Sequence, residues 1–167
     1  MQSCISFENG RAKRSNFHNA TVSTPFQNNA GGTQELLPLL LNRSRLLADA
    51  KLLGRWGEKR CEKFLKRKGL KTLTRNFSCK AGEIDLIMVS PGSAIVFVEV
   101  KTRADESLTP TEEVITLSKQ HKLKSTARYF LAANNIEARP YRFDAVAIVL
   151  GRTGPVQIRH YENAFVM

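Results

Sequence analysis

Cysteine, histidine, tryptophan and acidic residues are all scarce in this 167-residue sequence, and each shortage removes a class of explanation. Cys4, Cys61 and Cys79 are odd in number and widely spaced. They form neither a disulfide framework nor a zinc-ligand pattern, so a reducing, cytoplasmic setting is the simplest expectation. His18, His121 and His160 have no spacing that suggests a metal or a catalytic triad, and a surface or capping role is expected for each. No apolar run approaches the roughly 18–20 residues of a membrane helix. The run Leu36-Leu37-Pro38-Leu39-Leu40-Leu41 is short, broken by proline and followed by Arg43 and Arg45, which makes it a poor signal-peptide core. No membrane partner is expected.

The shortage of acids is the most informative. Fifteen Asp and Glu face twenty-six Lys and Arg, for a net charge of +11. From Lys51 to Lys80 there are eleven Lys and Arg against two Glu, a local excess of nine. Such a concentration points to a polyanion whose negative charge comes from phosphates. A solvated helix face explains a basic run equally well. An acidic membrane surface fits less well, because the basic face lacks exposed aromatic and leucine residues.

Residues 1–42 are rich in Asn, Gln, Ser, Thr and Gly without periodicity and read as a flexible polar extension. Residues 43–167 read as one domain. A helix is expected from about Ser44 to Lys68, ended by Gly69 as a left-handed cap. Its apolar stripe is Leu46, Leu47, Ala50, Leu53, Gly57, Cys61, Phe64 and Leu65, with Lys59, Arg60, Lys63, Lys66 and Arg67 on the far side. Gly54 and Gly57 weaken that helix by roughly 1 kcal/mol each relative to alanine, which suggests close packing at both. Strands are expected near 70–78, 83–89 and 94–102, a second helix from Thr116 or Ser118 to Ala133, and strands near 141–150 and 155–161. The fold class is therefore α/β with a central mixed sheet. Strands 83–89 and 94–102 are apolar on both faces, as in a sheet covered on both sides.

Three charges interrupt those two strands: Asp85, Glu99 and Lys101. Side chains alternate along a strand, so Asp85, Ile87 and Val89 are expected on one face and Ile84, Leu86 and Met88 on the other. A three-residue loop, Pro91-Gly92-Ser93, pairs Asp85 with Glu99; a four-residue loop sets them on opposite faces. The odd loop is the expected one, with Gly92 or Ser93 supplying a left-handed conformation. Facing carboxylates repel and call for a cation. Lys101 is one candidate, and a divalent metal held by oxygen ligands, Mg²⁺ or Mn²⁺, is the other. Glu58 lies at the edge of the apolar stripe, where a carboxylate needs a partner. The metal, Arg55 or Arg75 can each fill that role. Trp56 alone reads as a packing residue.

Gly82-Glu83-Ile84-Asp85 followed by Phe97-Val98-Glu99-Val100-Lys101-Thr102-Arg103 resembles the PD-(D/E)XK nuclease superfamily. More narrowly, the chain is similar to the YraN family of bacterial proteins. Gly57-Glu58, Thr74-Arg75-Asn76-Phe77, Lys119-Gln120, Arg142-Phe143-Asp144 and Asn163-Ala164-Phe165 add to the likeness, which covers about residues 52–165. Cys61 stands where a small residue such as alanine is expected. The resemblance implies a restriction-endonuclease-like core and a Mg²⁺-dependent endonuclease acting on DNA, with branched substrates by analogy to Holliday-junction resolvases. Asp85 and Glu99 would hold the metal with the Val100 carbonyl, and Glu58 would act on it directly or through water. Lys101 would orient or deprotonate the attacking water, while Gln120 and Lys119 would steady the site or contact phosphate. Lys59, Arg60, Lys63, Arg75 and Arg103 would meet nucleic-acid phosphates. Resolvases are dimers, so a homodimer is expected by the same analogy. A nucleic-acid-binding or scaffold protein that keeps this core without cleaving is the competing expectation.

Overall fold

The computed structural model describes residues 36–105 and 115–166. Helices α1 (Leu36–Ala48) and α2 (Ala50–Arg67) precede strands β1 (Lys71–Cys79), β2 (Gly82–Val89) and β3 (Ile95–Arg103). Helix α3 (Leu117–Ala133) and strands β4 (Tyr141–Val149) and β5 (Gln157–Phe165) follow. The strands form one sheet in chain order, antiparallel throughout except where α3 carries the chain from β3 to a parallel β4. This is the expected α/β architecture, a mixed sheet flanked by helices, and it is consistent with a restriction-endonuclease-like core. Helix α1 crosses the boundary expected at residue 42, and the earlier residues 1–35 lie outside the described ones. Among the described residues no helix is long and apolar enough to cross a membrane.

The single helix expected over 44–68 is in fact two. Asp49 takes an extended conformation (φ −132°, ψ 107°), and its Oδ1 accepts from the Lys51 and Leu52 amides at 2.8 and 3.1 Å. It caps a fresh helix by satisfying donors that would otherwise be orphaned. Arg43 on α1 donates to the carbonyls of Leu150 and Gly154, which fastens α1 to the far end of the sheet. The C-terminus of α2 closes as expected. Gly69 adopts φ 89°, its amide bonds Lys66 O, and the Leu70 amide bonds Leu65 O. Leu65 and Leu70 then meet in the same core, completing a Schellman motif.

Two cores sandwich the sheet. On one face Cys61 and Leu65 of α2 meet Leu86, Met88, Val96, Val98, Val146 and Ile148. On the other, Leu123, Ala127, Phe130 and Leu131 of α3 meet Ile84, Ile87, Ile95, Phe97 and Phe143. Each large side chain so buried contributes about 1.5–3 kcal/mol relative to exposure. Gly57 is where α2 lies directly on the sheet, since a Cβ there would overlap the Thr102 side chain of β3. Gly54 has open space around it, so close packing was not its reason.

Strict alternation fails on β2. Ile84 joins Ile87 in the α3-side core, while Leu86 and Met88 face α2. The reversal coincides with Asn76 on β1, which sits between the pairs Arg75↔Leu86 and Phe77↔Ile84, opposite Asp85, and has φ 48°. A left-handed residue turns the strand over, so Arg75 leaves toward α2 and Phe77 toward α3.

The last strand also departs from expectation, running to Phe165 rather than ending near 161. Its register shifts between Phe143 and Ala145, with Asn163 at φ 52°. Asp144, 1% exposed, holds this irregularity by accepting from the Asn163 amide at 3.1 Å. It also bonds His160 Nε2 at 2.9 Å and Arg142. The surface role expected for His160 is thereby corrected: its side chain is 2% exposed and packs edge-on against Phe64.

Candidate active site

The β2–β3 connection is the odd loop. The Ser90 amide bonds Ala94 O at 2.9 Å, the Ser93 amide bonds Ser90 O at 2.9 Å, and Ser93 supplies the left-handed residue at φ 66°. The ladder runs from Val89↔Ile95 to Leu86↔Val98, and the same register carries Asp85 to the level of Glu99. There the strands part. Asp85 Oδ2 accepts from the Val100 amide at 2.7 Å, so a carboxylate replaces a main-chain carbonyl in the gap.

Both carboxylates are held away from water. Burial foremost, then the charge of Glu99, lifts Asp85 from its ordinary 3.8 to about 7, against the Val100 amide and Lys119. Glu99 is also raised, by burial, with Lys119 opposing. Glu99 Oε1 lies 3.0 Å from Lys119 Nζ on α3, whereas Oε2 is buried and has no hydrogen-bond partner. A buried carboxylate oxygen without a donor is costly and suits a cation. The pair therefore fits a hard divalent ion, which Asp85 and Glu99 could hold through their carboxylates. Among the described residues no three His, Cys, Asp or Glu side chains are grouped to hold a metal. The like charge of Glu58 nevertheless acts on Asp85.

The remaining expected residues have differing surroundings. Lys101 is exposed on β3, and its charge favours ionised Glu99. Gln120 is half-buried and donates to Ile115 O at 3.2 Å, which ties the start of α3 to the preceding chain. Arg103 is half-buried, with an Nε that is buried and lacks a hydrogen-bond partner. Lys59, Arg60 and Lys63 are exposed on the outer side of α2, with the Arg60 guanidinium 5.5 Å from the Trp56 ring centre. Trp56 itself packs against the α2-side core.

Arg75 is committed elsewhere. It grips Glu62 through Nε and Nη2 at 2.8 and 2.7 Å. Thr72 Oγ1 and Lys66 Nζ bind the same carboxylate at 2.7 and 2.8 Å. Glu62 is 8% exposed, so Glu58 is not the one acid that this helix turns inward. The signal was present, since Glu62 lies one helical turn after Glu58, on the same edge of the stripe. Cys61 is fully buried, and burial foremost, with nearby acids, holds its thiol protonated.

Glu58 lines a cavity of about 160 Å³ with Arg55, Lys59, Glu62, Arg75, Asn76 and Leu86. Asn76 went unassigned in the sequence. An asparagine inside a strand pattern, where left-handed residues are otherwise rare, was the available signal.

A family model described as "Uncharacterised protein family UPF0102" matches residues 57–148. A UPF0102 protein of Pelotomaculum thermopropionicum is 41% identical over 121 residues, covering 71% of this chain and all of that one. One from Pelobacter propionicus is 40% identical over 70% of this chain and 84% of its own length. One from Caldicellulosiruptor saccharolyticus is 42% identical over 68% and 96%.

Proposed function

Since the chain belongs to the uncharacterised protein family UPF0102, the YraN family that its motifs resemble, we propose that it is a Mg²⁺-dependent endonuclease that hydrolyses phosphodiester bonds in DNA. The observation that carries this reading is the half-buried Asp85–Glu99 pair, level across the two strands, with the buried Oε2 of Glu99 lacking any hydrogen-bond partner. A bound Mg²⁺ would supply a water of lowered pKa and neutralise charge on the phosphate oxygens. Asp85 and Glu99 would hold it, with the Val100 carbonyl beside them. Lys101, exposed two residues beyond Glu99, would orient the attacking water and accept its proton. Lys119 neutralises Glu99 in this structure and, once released from it, would contact the phosphate. Lys59, Arg60 and Lys63 give affinity for the backbone without sequence preference. Preference for branched DNA rests on the resemblance to resolvases.

The Lys119–Glu99 contact favours a second reading, a nucleic-acid-binding protein that retains the core and does not cleave. A resident ammonium already supplies the cation that facing acids require. The test is cleavage of duplex, single-stranded, flap and four-way-junction DNA and of RNA with Mg²⁺, beside Lys101→Ala. Cleavage lost in the variant supports the enzyme. Binding without cleavage supports the second reading, and cleavage unchanged by the substitution overturns the role of Lys101.

A further inference from the structure

Three elements meet at one side chain. Asn76 of β1 stands across from Asp85 of β2, and both face Glu58 of α2. Oriented with its nitrogen toward them, the Asn76 carboxamide donates to Glu58 Oε2 at 3.2 Å and to the Asp85 carbonyl at 3.2 Å. The opposite orientation would set an oxygen against two acceptors. The position demands two things together. The backbone needs a residue that tolerates φ 48°, which asparagine does better than most. The side chain needs two N–H donors on one atom. Glycine meets the first demand and aspartate the first alone, while glutamine carries the donors without the backbone preference.

Resting on the nuclease reading, we infer that Asn76 is a positioning residue that sets Glu58 against the Asp85–Glu99 pair. Its amide contacts are Glu58 and the Asp85 carbonyl, so it would act through Glu58. Its backbone turns β1 over at the level where β2 and β3 part, and its amide fixes the helix-borne carboxylate to the strand that bears Asp85. Glu58 then faces the acidic pair from outside, where it can take a hydrogen bond from metal-bound water.

Two measurements separate this joint from the reading it rests on. The first needs no activity. In a ¹⁵N spectrum the Asn76 side-chain NH₂ signals should move in Glu58→Ala; signals unmoved by that change overturn the Asn76–Glu58 link. The second is a double-mutant cycle on Mn²⁺ affinity. Asn76→Gly, which keeps the left-handed backbone, should weaken binding about tenfold in the unmodified chain. In the Glu58→Ala background it should have little effect. An equal loss in both backgrounds overturns the positioning role and leaves Asn76 a structural residue. If the unmodified chain binds no Mn²⁺, the nuclease reading falls, and the spectrum alone then decides whether the joint exists.

Discussion

Glu62 on α2 and Asp85 on β2 are both acids shielded from water, and their surroundings treat them in opposite ways. Glu62 is surrounded by donors. Arg75 foremost, then Lys66 and Thr72, lower it from 4.5 to about 2 despite burial. Asp85 has a single amide and a neighbouring acid, and stands near 7. A satisfied carboxylate secures a helix to a strand. An undersatisfied pair at the end of a ladder retains binding capacity, and such perturbed groups gather at functional sites.

Substitution at the two acids should therefore separate stability from activity. Asp85→Asn is expected to lower cleavage roughly 10³-fold or more, because the metal pair acts as a unit. Its melting temperature should hold or rise in metal-free buffer, because a buried, repelled charge is gone. Glu62→Ala should lose about 1–3 kcal/mol of stability by urea unfolding, since Thr72 and Arg75 lose their acceptor. Its cleavage of DNA at temperatures where it stays folded should change far less. Equal loss of activity in both variants would end the distinction.

Much of the frame around these two acids was legible in the sequence, though the role of Glu62 was not. Turn chemistry at Pro91-Gly92-Ser93 favoured the odd loop over the even one, and that parity put Asp85 level with Glu99. Helical spacing gave Leu53, Gly57, Cys61 and Leu65 as the buried face. What periodicity could not give were the places where the backbone leaves its period. Asp49 breaks the first helix because a local side-chain cap outweighed a continuing apolar stripe. Asn76 inverts β1 and β2, so Ile84 and Leu86 part company although their spacing puts them together. His160 read as a surface residue because its partner Asp144 is sixteen positions away.

The two acids also give opposite pH dependences. Glu62 has a folded value below its ordinary one, so its contribution is complete above about 4.5 and is lost as pH falls toward about 2. Asp85 has a folded value above its ordinary one. Below about 3.8 it is neutral in both states and costs nothing; as pH rises to about 7 the unfolded chain releases a proton that the fold retains, and stability falls. Melts in divalent-free buffer should show both limbs. Glu62→Gln should flatten the acid limb alone and Asp85→Asn the limb toward pH 7 alone. Loss of both limbs in either variant would mean that the two acids are not independent.

The smallest expected effects come from the glycines that seat α2, the helix bearing both Glu58 and Glu62. Gly54→Ala enters open space and should stabilise by about 1 kcal/mol, the ordinary helix-propensity gain. Gly57→Ala drives a methyl into Thr102 and should cost about 1–3 kcal/mol despite the same gain. Thr102→Ala should recover only part of that, because the Thr102 Cβ itself lies 2.8 Å from the added carbon. The activity of Gly57→Ala is the discriminating readout. A helix lifted from β3 carries Glu58 away from the Asp85–Glu99 pair, so cleavage should fall by more than stability explains at temperatures where the variant is fully folded. Cleavage that survives the displaced helix would show that the two strand carboxylates act without Glu58.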